Sequence, residues 1–372
     1  MIPAESYYSF FIILVYFLSI IAIVKINNNN NYTYTNLSMF LLMWIVVIYI
    51  GIRPVHPIFA DMTGYVRIYE QESLYPSSWS EIYYSEDKRN EWLWQFIYMI
   101  CARFGLPSWG WLIIVALGYI GIGAIAIKRI FNKNNRYIAF LFYISAFSFF
   151  SYAVNGMRNG LSFSIVLLAF TYLRHNQRSF LKYFLLSFIA YNIHHTALLP
   201  LTCAFITYFI KKESNIALYI WLLSIPLSLA AHSYFESILI GISPDERLND
   251  YVSSQYQIGG IGSSFSSSGF RWDFLLYSSM PILLGYYVKR KVNNEMLSFL
   301  LNTYLLCNSF WILVIRASFS NRFAYLSWFI YPILLAYPLL EVKFSNYQKK
   351  WLCCVMLAHI SFTAIMHFIY YA

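Results

Sequence analysis

The sequence predicts an all-α fold: one polytopic transmembrane helical bundle of about twelve spans. Three observations carry this. Of 372 residues, 59% are apolar and only 11% are charged, where a soluble domain carries about a quarter charged residues. Mean hydropathy is +0.54. Apolar stretches also recur from Tyr7 to Tyr370 with short polar breaks, and a crossing needs about 20 apolar residues to traverse about 30 Å of hydrocarbon. Such a chain is not a soluble enzyme, a disordered tail or a nucleic-acid-binding domain. The net charge of +10 then reads as membrane topology.

The first span, 7–26, has no basic n-region and no small-residue cleavage site, so it is expected to be a retained helix and not a signal peptide. The second, 37–52, follows the low-complexity turn Asn27–Asn31. The stretch Glu91–Phe104 is apolar but too short to cross, which predicts a re-entrant or interfacial helix. Spans follow at 108–127, 137–154, 158–173 and 180–194. The next, 195–210, starts without a polar loop, so Pro200 or the His194-His195 pair must mark a tight turn. The last five are 216–234, 272–288, 295–315, 323–340 and 351–370. Residues 1–372 form a single integral membrane domain, with long loops at 53–107 and 235–271. Cys101, Cys203, Cys307, Cys353 and Cys354 show no CxxC spacing and mostly lie in apolar runs, so they read as small buried hydrophobes.

Charge divides this layout into two faces. The loops around Lys25, Lys128–Arg136, Arg174–Lys182, Lys211–Lys212, Lys289–Lys291 and Lys343–Lys350 hold 16 Lys+Arg and three acids, Glu213, Glu295 and Glu341. The opposite face holds 10 Lys+Arg and 13 acids. The positive-inside rule makes the first face cytoplasmic. Both termini and both long loops are then outside. The outer basic set is one lysine, Lys88, and nine arginines. Topology needs only positive charge, whereas the guanidinium fork binds phosphate in bidentate fashion. The outer face therefore reads as one that handles a polyanionic group such as pyrophosphate. For Arg67, Arg89 and Arg247, which sit in acidic loops, pairing with those acids is the better reading.

Four arginines abut or interrupt apolar runs: Arg53, Arg158, Arg316 and Arg322. One such residue is accounted for by snorkelling; four on one face, with Asn and Gly beside them, fit a polar cavity better. Arg158 and Arg322 fit it best. In Tyr191-Asn192-Ile193-His194-His195-Thr196-Ala197, two histidines stand at the outer end of a helix. They read as a base or as packing residues; no HExxH and no third ligand support a metal, and no cofactor is expected. The remaining histidines, His56, His175, His232, His359 and His367, read as packing. Asp61, Tyr65 and the run Trp79–Trp94 offer sugar-stacking rings and carboxylates, or simply an interfacial aromatic belt. Gln255–Gly269 is Gly/Ser-rich, as a lid or a slack loop would be.

Taken in order, Gly51-Ile52-Arg53 with Asp61 and Tyr65, Glu91 opening a short helix, Asn155-Gly156-Met157-Arg158-Asn159-Gly160, Ile193-His194-His195-Thr196-Ala197-Leu198, Arg271-Trp272-Asp273-Phe274 and Ser320-Asn321-Arg322-Phe323-Ala324-Tyr325 resemble the EpsG family of bacterial exopolysaccharide proteins, related to Wzy-type polymerases. The resemblance covers roughly residues 45–340. It implies a GT-C-like membrane glycosyltransferase architecture in the bacterial inner membrane, with its active site on the extracytoplasmic face. It implies a polymerase that moves a growing glycan from undecaprenyl pyrophosphate to a lipid-linked repeat unit in exopolysaccharide, capsule or O-antigen synthesis. Its partners would be those lipid-linked glycans, membrane lipids, and the flippase and chain-length regulator of the same pathway. His194, Arg158 and Arg322 are expected to be catalytic and to face one extracytoplasmic cavity. Arg53, Asp61, Tyr65, Glu91, Asn155, Asn159, His195, Arg271, Asp273 and Arg316 are expected to bind substrate. The rival classes are a lipid-linked oligosaccharide flippase or other transporter, and a glycan ligase. Conspicuous polar residues near one face, and no internal repeat, weigh against a transporter.

Overall fold

The computed structural model describes residues 2–28, 34–80, 91–173, 178–242, 269–317 and 320–370. Among them every regular element is helical. α1 spans Ala4–Asn28, α2 Asn36–Gly51, α3 Met62–Leu74, α4 Trp92–Arg103, α5 Ser108–Ile130, α6 Arg136–Ile144, α7 Phe149–Val154 and α8 Met157–Phe170. α9 spans Phe180–Ile193, α10 Leu198–Phe209, α11 Ile216–Ile242, α12 Trp272–Lys289, α13 Glu295–Leu313, α14 Ser320–Trp328, α15 Tyr331–Glu341 and α16 Gln348–Ile365.

Six stretches among the described residues are long and apolar enough to cross a membrane: Ala4–Asn28, Ser108–Ile130, Ile216–Phe235, Glu295–Leu313, Asn321–Glu341 and Gln348–Tyr370. Shorter apolar helices lie at Asn36–Gly51, Met157–Phe170, Phe180–Ile193 and His195–Phe209. A 14-residue helix such as α8 rises about 21 Å, less than the hydrocarbon thickness of about 30 Å. Along α1, Phe10, Ile13, Phe17, Ile21 and Val24 are exposed. Their spacing is a helical stripe, the pattern of a face turned to lipid.

One expectation is corrected, and two long loops gain helical detail. The stretch 137–154 is two helices, not one: α6 stops at Ile144, where the Ser145 hydroxyl donates to the Leu141 carbonyl at 2.6 Å, and α7 starts at Phe149. A serine bonding back to the carbonyl four residues earlier competes with the helix ladder. The first long loop contains α3, whose Tyr65 and Tyr69 stand one helical turn apart. The span expected at 216–234 is met by the apolar stretch Ile216–Phe235, and the helix α11 runs on past Pro226 and a bend at Ala231 to Ile242. The readings made for Asn29–Asn31, Arg174, His175, Lys88, Arg89, Arg247 and most of Gln255–Gly269 lie outside the described residues.

The described residues of 1–84, 91–197 and 335–372 form one compact unit, and those of 198–334 a second. In the first, α5 packs on α8, with α2 and α9 flanking them and α3 and α4 paired beside. Gly160 allows the tight junction of α7 and α8: a Cβ there would stand 2.7 Å from the Tyr152 carbonyl oxygen. One end of this unit gathers basic loops. Glu341 accepts from the Asn132 backbone N–H at 2.8 Å and from Asn135 Nδ2 at 2.9 Å, and Arg136 donates to Asn36 Oδ1 at 3.1 Å. The same helices carry the candidate site at their other end, past Gly51 of α2 and at the start of α8.

In the second unit α13 packs against α10, α11, α12 and α14. Buried Asn308 accepts from Trp221 Nε1 at 2.8 Å and donates to Ser327 Oγ at 3.0 Å, and Trp328 Nε1 donates to Ser278 Oγ at 2.8 Å. Between apolar helices, such bonds and close packing supply the attraction that hydrophobicity cannot supply in lipid.

Candidate functional site

Nine of the predicted site residues belong to the first unit, and the fold links seven of them by direct contacts. α9 ends at Ile193, and His194 leaves it in extended conformation, with φ −157 and ψ 119. A short 3-10 turn, His195–Ala197, then leads into α10. The tight turn expected at Pro200 or at the His194-His195 pair therefore falls at the pair, and Pro200 lies inside α10. The two histidine rings go to different partners. The His195 ring stacks on Tyr191 with centroids 4.5 Å apart, while the His194 ring meets Glu91 through Nδ1.

Glu91 caps α4 and is 4% exposed. Its carboxylate is shared: one oxygen faces His194 Nδ1 and the other accepts from Arg158 Nη1. The His195 backbone N–H also points at the first oxygen, at 3.4 Å. Arg158, in the first turn of α8, donates through Nε to the Tyr65 hydroxyl of α3 at 3.0 Å. Tyr65 in turn packs edge-on against Trp94 of α4. Asn159 Oδ1 accepts from the Thr196 hydroxyl at 3.1 Å, which ties α8 to the histidine turn. Asn155 Oδ1 accepts from the Asp61 backbone N–H at 3.1 Å, which ties the α7–α8 junction to the start of α3.

Burial alone would raise the Glu91 carboxyl, but the His194 ring and the Arg158 guanidinium prevail and lower it from 4.5 to about 2. An ionised carboxylate can only accept, so His194 Nδ1 carries a proton and Nε2 is the ring atom left to exchange one. The arrangement is a histidine oriented by a carboxylate, with a guanidinium on the other oxygen of the same carboxylate. It can accept a proton at Nε2, next to a cation suited to an anionic leaving group. His194 and Arg158 side chains keep 16% and 14% of their surface exposed.

A depressed carboxyl stabilises the folded state above its ordinary value, and that contribution is lost as pH falls from about 4.5 towards 2. Glu91→Gln is therefore expected to lower the thermal midpoint at pH 7 and to flatten its decline between pH 5 and 3. Thermal unfolding of the purified protein and variant across that range checks this. Parallel curves would contradict the ion-pair assignment.

Arg53 is 2% exposed. Its guanidinium donates to the Ile50 carbonyl at 2.6 Å, to Met62 Sδ at 2.8 Å and to Met157 Sδ at 2.9 Å. The second unit holds the other predicted residues. Arg271 grips Asp273 with two bonds, at 3.0 and 2.6 Å, and its guanidinium lies 3.8 Å from the Phe274 ring centroid. Arg316 follows α13 and buries an Nε with no hydrogen-bond partner among the described residues. Arg322 lies in the first turn of α14 and is partly exposed.

Sequence reasoning did not anticipate the roles of Thr196, Met62 and Met157. Thr196 lay within the histidine segment, but its contact with Asn159 joins residues 37 positions apart. The methionines looked like ordinary apolar positions at the starts of two helices.

A model of the EpsG family matches residues 56–371 of the chain. Neither a curated protein nor a solved structure matches it.

Proposed function

The chain belongs to the EpsG family, and from that premise we propose that it polymerises lipid-linked oligosaccharide repeats in exopolysaccharide synthesis. Membership suggests a polysaccharide polymerase-type membrane glycosyltransferase. The proposal adds the substrates, an undecaprenyl-pyrophosphate-linked growing chain as donor and a lipid-linked repeat as acceptor, and the extracytoplasmic face of the inner membrane as the place of reaction. A twelve-span, GT-C-like architecture, and a flippase and a chain-length regulator as pathway partners, belong to the same proposal. The observation that carries the chemistry is the single Glu91 carboxylate divided between His194 and Arg158.

In this reading an acceptor hydroxyl oxygen attacks the anomeric carbon of the donor sugar. The new carbon–oxygen bond forms as the bond to the pyrophosphate oxygen breaks. His194 Nε2 takes the hydroxyl proton. Glu91 holds the ring in the required tautomer and stabilises the imidazolium. Charge on the departing pyrophosphate is offset by Arg158, with Arg322, Arg271 and Arg316 as further proposed anion ligands from residue type alone. Tyr65, Asp61, Asn155, Asn159 and His195 are proposed to line or brace the sugar and phosphate positions. The face assignment rests on the 16:3 against 10:13 division of bases and acids.

The size ladder of surface polysaccharide in a deletion strain tests the reading. Loss of long chains with single repeats retained is the expected result. Loss of all surface repeats indicates a flippase, and free long chains that fail to reach their final carrier indicate a ligase.

A further inference from the structure

No residue near His194 forces α9 to stop where it does. The stretch Ala190–Thr196 holds no glycine and no proline, the strongest local interruptions of a helix. Pro200 removes the bond that its N–H would make to the Thr196 carbonyl, but that bond lies beyond His194. Yet His194 is already extended, with φ −157 and ψ 119, and from that backbone its ring reaches Glu91.

The stop is held from a neighbouring helix. Ser162 of α8 is fully buried, and its hydroxyl donates to the Ala190 carbonyl at 2.8 Å. The same carbonyl accepts from the His194 backbone N–H at 3.0 Å, as an oxygen with two lone pairs can. One atom, the Ala190 oxygen, thus joins Ser162 to the backbone of the histidine. Ser162 stands three positions after Asn159 and four after Arg158, on the same face of α8. Asn159 bonds Thr196 and Arg158 bonds Glu91. A single helix face therefore holds the chain before His194, the chain after it, and the carboxylate that orients its ring. Arg158 and Asn159 are partly exposed, whereas Ser162 is not.

We propose that Ser162 is a positioning residue for His194: its hydroxyl pins the Ala190 carbonyl, fixes where α9 ends, and so aims the imidazole at Glu91. Ser162 does not touch substrate and acts only through the histidine. Without its bond, His194 and His195 are free to continue the helix, where each added residue turns the side-chain direction by about 100°, and the ring leaves the carboxylate. The catalytic consequence rests on the polymerase reading, in which His194 is the base; the backbone anchor itself does not.

The test compares Ser162→Ala and Ser162→Cys in the purified full-length protein. Alanine leaves the Ala190 carbonyl its bond from His194 and is the best helix former, so the fold is retained. Cysteine keeps the shape with a weaker donor. Ser162→Ala is expected to speed amide hydrogen exchange across residues 190–197 by about tenfold, with exchange elsewhere unchanged. It is expected to lower the single-turnover rate of repeat joining by about tenfold, the effect of a misaimed group, without weakening binding of the lipid-linked repeat. Ser162→Cys should fall between Ser162→Ala and wild type in both measurements. In a His194→Ala background, Ser162→Ala is expected to cost nothing further, because the two act as a unit. A further tenfold loss in that background gives Ser162 a role apart from the histidine and overturns the proposal. Unchanged exchange in Ser162→Ala overturns it too, as does unchanged turnover where the wild type is active. Faster exchange in Ser162→Ala, from a wild type that joins no repeats, supports the anchor and contradicts only the polymerase reading.

Discussion

His194→Ala is expected to lower polymerisation turnover by about 10²–10⁴-fold, the usual effect of removing a general base, while donor binding stays close to wild type. The reason is a division of labour at one carboxylate. His194 takes one oxygen of Glu91 through Nδ1 and so presents Nε2, whereas the cation that would hold phosphate takes the other. His195→Ala should cost less than about tenfold, since that ring is stacked on Tyr191 and the hydrogen bond from this residue towards Glu91 is made by its backbone N–H. Single-turnover rates with purified protein, alongside donor binding, separate the two. A dead His195→Ala with an active His194→Ala would reverse the assignment. Full activity in both would move the base to a carboxylate such as Asp61 or Asp273.

Arg158→Lys is the second large effect, expected to remove long-chain polymer and to cut turnover by about 10²–10³-fold. Arg158 uses two edges of one planar group, Nε on the Tyr65 hydroxyl and Nη1 on Glu91. Lysine keeps the charge but is a single point that cannot bridge both. If the arginine holds the pyrophosphate, donor affinity falls with turnover. If it only braces Glu91, turnover falls and affinity does not, and Tyr65→Phe reproduces part of the loss. Arg322→Lys is expected to behave like Arg158→Lys, whereas Lys88→Ala and Arg247→Ala should be mild. Near-normal polymer from both Arg→Lys variants would remove the arginine clamp from the mechanism.

Most of the helices could be read from apolar run length, because a span must be long and apolar whatever it packs against. The break inside 137–154 could not, since Ser145 looks like any small residue until its hydroxyl is seen to take the Leu141 carbonyl. α3 was hidden for the opposite reason: its acids mask the spacing of Tyr65 and Tyr69. In the site, residue types were legible but partners were not. Arg158 and His194 stood out as polar residues at the edges of apolar runs. Their common partner Glu91 lies 67 and 103 positions away, and no local pattern encodes that distance. Sequence distinguished the outer arginines in acidic loops from those beside apolar runs, but did not show what each guanidinium touches. The fold separates them into a buried one without an acid, Arg53, and ones already paired, Arg158 and Arg271.

The central claim is that this chain itself joins lipid-linked repeats. Its most direct test is the purified protein in lipid nanodiscs, supplied only with a lipid-linked repeat unit. The account predicts a ladder of glycans differing by whole repeats, with undecaprenyl pyrophosphate released in step with each bond formed, and no ladder from His194→Ala. Intact repeat units remaining as single units, with wild-type protein folded and binding them, would contradict it.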